Sequence, residues 1–282
     1  MASEPPVPDS GAPGVQTAAA PTAVARAKYR VRFQKAGNLR LVSHHDLLHC
    51  VERMFRRAAL PVASTQGFNP RPRISFAQSL ALGVIGLREV LELELTVPLD
   101  AAEVEHHLAA QCPPGLAILS VRPIDYRARA QVRRAYFRLP LKEPIPDLVD
   151  RCTAFLAQEQ CWIQRTRPHP RRLNLRPFVG ALRATDGALE MGLWVSPHGS
   201  ARPEEVAEVL GLRAVLDAGA VLERTDLELT DETTDAELAP EGLPTHPDAE
   251  KSSREEKVDT GDGHKAAPRP TAIIAGPMSF DS

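Results

Sequence analysis

The chain has 282 residues, 43% hydrophobic and 25% charged, which is ordinary composition for a soluble globular protein. No apolar run reaches the ~20 residues that span a bilayer, so a helical membrane protein is excluded. Cys50, Cys112, Cys152 and Cys161 lack the close spacing of iron–sulfur or zinc sites. With no apolar export core near the N-terminus, they read as reduced thiols in the cytoplasm.

The net charge of −2 hides an asymmetry. Residues 27–230 hold 28 Lys+Arg against 22 Asp+Glu, whereas residues 231–282 hold 5 against 12. A mildly basic body therefore precedes an acidic tail. Residues 1–26 and 231–282 are poor in large apolar groups and are expected to be disordered, because they cannot offset their chain entropy by burial.

In chain order, Lys28–Phe33 alternates apolar and basic residues and predicts a strand. Ser43 and Asp46 form a capping box, and Leu47, Leu48, Val51, Met54, Phe55 and Ala58 follow at helical spacing until Pro61. Arg73–Leu82 and Val90–Val97 predict strands, Ala101–Gln111 a helix capped by Asp100, and Leu116–Arg122 a fourth strand. The second half repeats this order more loosely. Arg134–Leu139 predicts a strand, Pro144–Gln158 a helix, and Trp162–Arg167, Asn174–Ala184 and Leu189–Val195 strands. A helix opens at Arg202-Pro203, and Val221–Leu229 closes the set. The expected fold is α+β: two tandem ferredoxin-like units, β-α-β-β-α-β, with antiparallel sheets over residues 27–125 and 126–230.

The densest punctuation is Ser64-Thr-Gln-Gly-Phe-Asn-Pro-Arg-Pro-Arg-Ile-Ser-Phe76, a polar loop carrying one large ring. Together with Arg32-Phe33, Leu41-Val-Ser-His-His-Asp-Leu47, Arg56-Arg57-Ala58, Asn174-Leu-Arg-Pro177, Arg202-Pro203 and Glu223-Arg-Thr225, it resembles the DUF2344 family of radical-SAM-linked proteins over residues 27–230. Two positions depart from the family pattern. His45 replaces an apolar residue, and Ser64-Thr65 replaces Tyr-Ser before Gln66-Gly67. No Cys-x3-Cys-x2-Cys motif occurs, so this chain carries no cofactor of its own in this reading. The resemblance implies a separately encoded radical SAM partner holding a 4Fe–4S cluster and S-adenosylmethionine.

The resemblance and the basic body together imply an accessory protein that presents or recognises a substrate, with RNA as the expected class. From Tyr126 to Arg183 there are 13 Lys+Arg against 4 Asp+Glu, a bias suited to phosphate. Ser43, Asp46, Gln66, Gly67, Phe68, Asn69, Arg71 and Arg73 are expected to line the binding groove. Arg176 is expected beside them if the two units face each other. Two alternatives stand. One is a metal-independent RNA-cleaving or RNA-modifying enzyme with His44 as general acid or base. The other is a protein–protein adaptor without nucleic acid. His45 and His49, at i and i+4, have metal-binding spacing but no visible third ligand.

Overall fold

Tyr29, Val31 and Phe33 alternate with Lys28, Arg30 and Arg32, so the first strand, β1 (Ala27–Lys35), has one apolar face. The structure, a computed structural model, describes residues 26–166, 170–196 and 199–232. The expected tails therefore lie outside the described residues, apart from Arg26, Asp231 and Glu232.

In α1 (His44–Arg57), Ser43 caps the helix by accepting from the Asp46 amide at 3.2 Å, and Leu47, Val51, Met54 and Phe55 form its buried stripe. Then come β2 (Ile74–Phe76), β3 (Ile85–Leu95), α2 (Ala101–Ala109) and β4 (Leu116–Ile124). These strands lie antiparallel in the order β4-β1-β3-β2. Tyr29, Val31, Phe33, Leu91, Leu93 and Leu95 bury against α1 and against Val104 and Leu108 of α2. Each such side chain contributes ~1.5–3 kcal/mol.

The second half runs β5 (Val132–Pro140), α3 (Leu148–Ala157), β6 (Trp162–Arg165), β7 (Arg171–Asn174), β8 (Val179–Thr185) and β9 (Ala188–Ser196). It ends with β10 (Gly199–Ser200), α4 (Pro203–Val209), α5 (Arg213–Asp217) and β11 (Glu223–Leu229). The antiparallel order is β8-β9-β5-β11, and β10 folds back on the end of β9. Leu139, Leu189, Met191 and Leu193 bury against Leu148, Cys152 and Phe155 of α3 and against Val206 and Ala207 of α4.

The halves share one nine-stranded, mostly antiparallel sheet rather than the two expected. β2 is only three residues long and leaves the start of β3 unpaired on that edge. There β11 docks parallel, with Glu223 beside Ile85 and Arg224 beside Gly86. The Arg224 guanidinium reaches across to Glu89, with Nε 2.8 Å from Oε1, and also donates to the Gln78 and Ser79 carbonyls. A Cβ on Gly86 would meet the Glu89 side chain at 2.5 Å, so the pair requires glycine there. Lys35 is buried in the same region and donates to the Val42 carbonyl at 2.9 Å. Burial lowers its pKa, partly countered by Glu89. Val90 packs with Val132, Ala135, Leu227 and Leu229 in a third cluster.

Several elements differ from expectation. The strand expected over Arg73–Leu82 shrinks to Ile74–Phe76: Arg73 bonds to Ala63 and Glu94 at the loop neck, and by Gln78 and Ser79 the carbonyls serve Arg224. The strand expected over Asn174–Ala184 breaks at the 3-10 turn Arg176–Phe178, around Pro177. Its first part joins β6 in a separate two-stranded ribbon. The helix expected from Pro144 begins at Leu148, after Asp147 with φ 59°.

Candidate functional site

Four residues past α1, the chain rises into a narrow loop. Ala63 pairs with Glu94 and Arg73, and Ser64 bridges to Pro72. The Thr65 amide donates to the Arg71 carbonyl at 2.8 Å, and the Arg71 amide donates to the Thr65 hydroxyl at 3.0 Å. The Thr65 hydroxyl thus closes the loop neck. At the tip, Gly67 has φ 133°, a conformation side chains resist, and Gln66, Phe68 and Asn69 are exposed. Phe68 is 108% exposed, an aromatic ring held wholly in water by a tied neck.

Between this loop and α1 lies a cleft of about 550 Å³. Leu48, Phe55, Leu60 and Val62 contribute apolar surface. Arg56 from α1 and Arg71 from the loop stand on its two walls, and His45 and His49 line it one turn apart. The two imidazoles meet edge to face at 4.3 Å between centroids, and His49 Nδ1 lies 3.2 Å from Glu52. Apolar surface beside two guanidiniums suits a body that combines an apolar part with an anionic group.

The expected site residues divide. Ser43 and Asp46 bond to each other, hydroxyl to carboxylate at 2.7 Å, and serve the helix cap. His44 stands outside the cleft against Phe76, 5.1 Å between ring centroids. Gln66, Gly67, Phe68 and Asn69 form the tip. Arg71 lines the cleft, but Arg73 lines a second depression of about 660 Å³ across β2, where it sits 3.5 Å from Glu94. The two arginines therefore do not converge on one anion. Arg176 is not beside the loop: its guanidinium donates to the Leu156 carbonyl at 2.8 and 3.1 Å and to the Val179 carbonyl at 2.9 Å. Asn174 likewise accepts from the Cys161 and Arg176 amides, so this second-half motif is a structural pin. Among the described residues, no group of three or more His, Cys, Asp or Glu gathers as a metal site, and no helix is long and apolar enough to cross a membrane.

One charged cluster escaped the sequence reading. The basic face of β1 is buried, with Arg30 1% exposed. Arg30 pairs with Glu92, Asp231 and Glu232, each at 2.8 Å, and Arg32 pairs with Asp226 and Glu232. Arg122 also holds Glu232. Burial alone would raise the Glu232 pKa, but Arg30, Arg122 and Arg32 outweigh it and hold the carboxyl at about 2. The first two residues assigned to the acidic tail are thus part of the body. The signal in the sequence was the alternating run of three cations on β1, more than Glu92, which Lys28 and Arg30 share, can neutralise.

A family model described as "Uncharacterized protein conserved in bacteria (DUF2344)" matches residues 28–203. No curated protein matches the chain. Among solved structures, a chain of a Cbf5-Nop10-Gar1 complex aligns at 12% identity and TM-score 0.38, over 71% of this chain and 48% of that one. An unknown protein from Galdieria sulphuraria aligns at 16% identity and TM-score 0.23, over 73% and 99%. The chain thus spans about half the length of the first of these.

Proposed function

Because the chain belongs to the DUF2344 family, we propose that it is an accessory protein recognising an RNA substrate for a separately encoded radical SAM enzyme. The sequence resemblance supports the partner class. The observation that carries the substrate class is the cleft, where Arg56 and Arg71 line an apolar hollow at the foot of the loop that exposes Phe68. A nucleotide matches that pattern, with its base on the apolar surface or against Phe68 and its phosphate at the arginines. The reading takes residues 27–125 and 126–230 as ferredoxin-like units. The orders β4-β1-β3-β2 and β11-β5-β9-β8 support this, being what the β-α-β-β-α-β path produces in each half.

Crosslinking and affinity purification from the native cell, with RNA and protein identified in one eluate, test the proposal. The expected result is an enriched RNA, lost in Arg56→Ala/Arg71→Ala, together with a radical SAM protein. An eluate with neither overturns it. A second reading, an RNA-cleaving or RNA-modifying enzyme, is favoured by one contact: Glu52 beside His49 in the cleft wall. A carboxylate-held imidazole suits a general base, which moves that role from His44 to His49. On this reading His49→Ala abolishes turnover of the captured RNA while binding stays within a few-fold. An unmodified protein that turns nothing over removes it.

A further inference from the structure

The ribbon β6–β7 stands outside the main sheet, and its register sorts its residues into two faces. Ile163 and Leu173 pack on the second core, and Arg165 grips Glu205 at 2.6 and 2.7 Å. The opposite face carries Trp162, Gln164 and Arg172, all exposed. Trp162 is 52% exposed, although nothing in the fold requires a large ring there. Its indole N–H donates to Gln160 at 2.8 Å, and the Arg172 guanidinium lies 5.0 Å from its ring centroid. The ribbon's base is pinned by Asn174 and Arg176 through the bonds described above, so this face is held rigidly.

We infer that the Trp162–Arg172 face of the ribbon is a stacking platform for single-stranded nucleic acid. Two features select this occupant. The surface is a flat pair of π systems with a cation, and a base stacks on indole or guanidinium whatever its sequence. The surroundings are cationic: no acidic residue occurs from Gln160 to Arg176, which suits a phosphate chain. The inference deepens the RNA reading and rests on the substrate being nucleic acid, but it uses residues the cleft does not contain.

The protein has two tryptophans, and Trp194 is only 5% exposed, with the Arg134 guanidinium 3.9 Å from its ring centroid. Ligand-dependent quenching of exposed indole emission therefore reports Trp162. The full chain is titrated with 12-nucleotide oligo(U) and oligo(A) RNA, their DNA counterparts, and poly-glutamate, while labelled-oligonucleotide anisotropy records total binding. The expected result is saturable quenching by the oligonucleotides, abolished in Trp162→Phe, which keeps affinity within about threefold. Trp162→Ala and Arg172→Ala are each expected to weaken binding about tenfold, the scale of one lost stack. Unchanged thermal melts keep these losses interpretable, and Arg172→Gln gives a second, milder variant. RNA quenching without DNA quenching narrows the platform to RNA, and equal quenching leaves it general. Anisotropy binding that depends on Arg71 but never quenches Trp162 overturns the platform and leaves the cleft reading standing. Quenching that persists in Arg56→Ala/Arg71→Ala supports the platform alone. Quenching by poly-glutamate but by no oligonucleotide overturns it in favour of a peptide surface.

Discussion

Arg30 has three carboxylate partners and almost no water, so its charge is tolerable only while they remain. Arg30→Met keeps most of the volume but leaves Glu92 with Lys28 alone and takes a cation from Asp231 and Glu232, so it is expected to destabilise the protein by ~1.5–3 kcal/mol in urea unfolding. Glu232 and Asp231 both have depressed folded pKa values. Such groups bind protons more readily when unfolded, so their contribution is complete above the ordinary carboxyl value near 4.5 and is lost as pH falls towards about 2. Urea midpoints measured from pH 6 down to pH 2.5 should fall through that window, and Glu232→Gln should flatten the decline. Phe68 presents the opposite case. It touches solvent alone, so Phe68→Ala should leave stability within ~0.5 kcal/mol while weakening RNA binding. At this scale Gly67 and the prolines marked the loop, but the Thr65 hydroxyl that ties its neck to Arg71 was not readable, because its partner is six residues away. Nor was the separation of Arg71 from Arg73. Two arginines either side of a proline look alike until strand pairing places one beside α1 and the other beside Glu94.

The elements formed where periodicity and caps agreed. Helix α1 shows this, with Ser43 at its cap and its stripe buried as the spacing predicts. Ser43→Ala should cost about 1 kcal/mol in thermal or chemical unfolding, the ordinary worth of a lost cap. The strands were legible by alternation, but their ends were decided by partners far along the chain. Strand β3 begins at Ile85 rather than Val90 because both β1 and β11, the latter more than a hundred residues later, pair with its start. Gly86 has the same dependence. Gly86→Ala drives a methyl into Glu89, which Arg224 holds in place, so a loss of ~1–3 kcal/mol is expected, as for other overpacked sites. In a double mutant with Glu89→Ala, which removes the clashing atoms, the Gly86→Ala penalty should largely vanish. An unchanged penalty would place the strain in the backbone instead.

Across the whole molecule, an α+β fold with mostly antiparallel strands was foreseeable from element order, whereas the joining of the strands from both halves into one sheet was not. The fusion depends on β2 being too short to cover β3, and on Arg224 reaching Glu89 from the other half. Neither is a local property. Arg30 and Arg32 owe their burial to the same long reach, since Asp226, Asp231 and Glu232 come from the far end of the described chain. That geometry has a consequence during synthesis. While residues beyond 222 are still inside the ribosome, the first half has its helices and three of its antiparallel pairings available, but Arg30 has only Glu92, and Arg32 lacks Asp226 and Glu232, beside a half-open strand edge. Folding domains emerge N-terminal end first, and a nascent species with an unpaired edge is prone to association. Asp226, Asp231 and Glu232 therefore complete the charge pairing of the first strand late in synthesis, and until then the nascent chain holds Arg30 and Arg32 short of the partners that cover them in the finished protein.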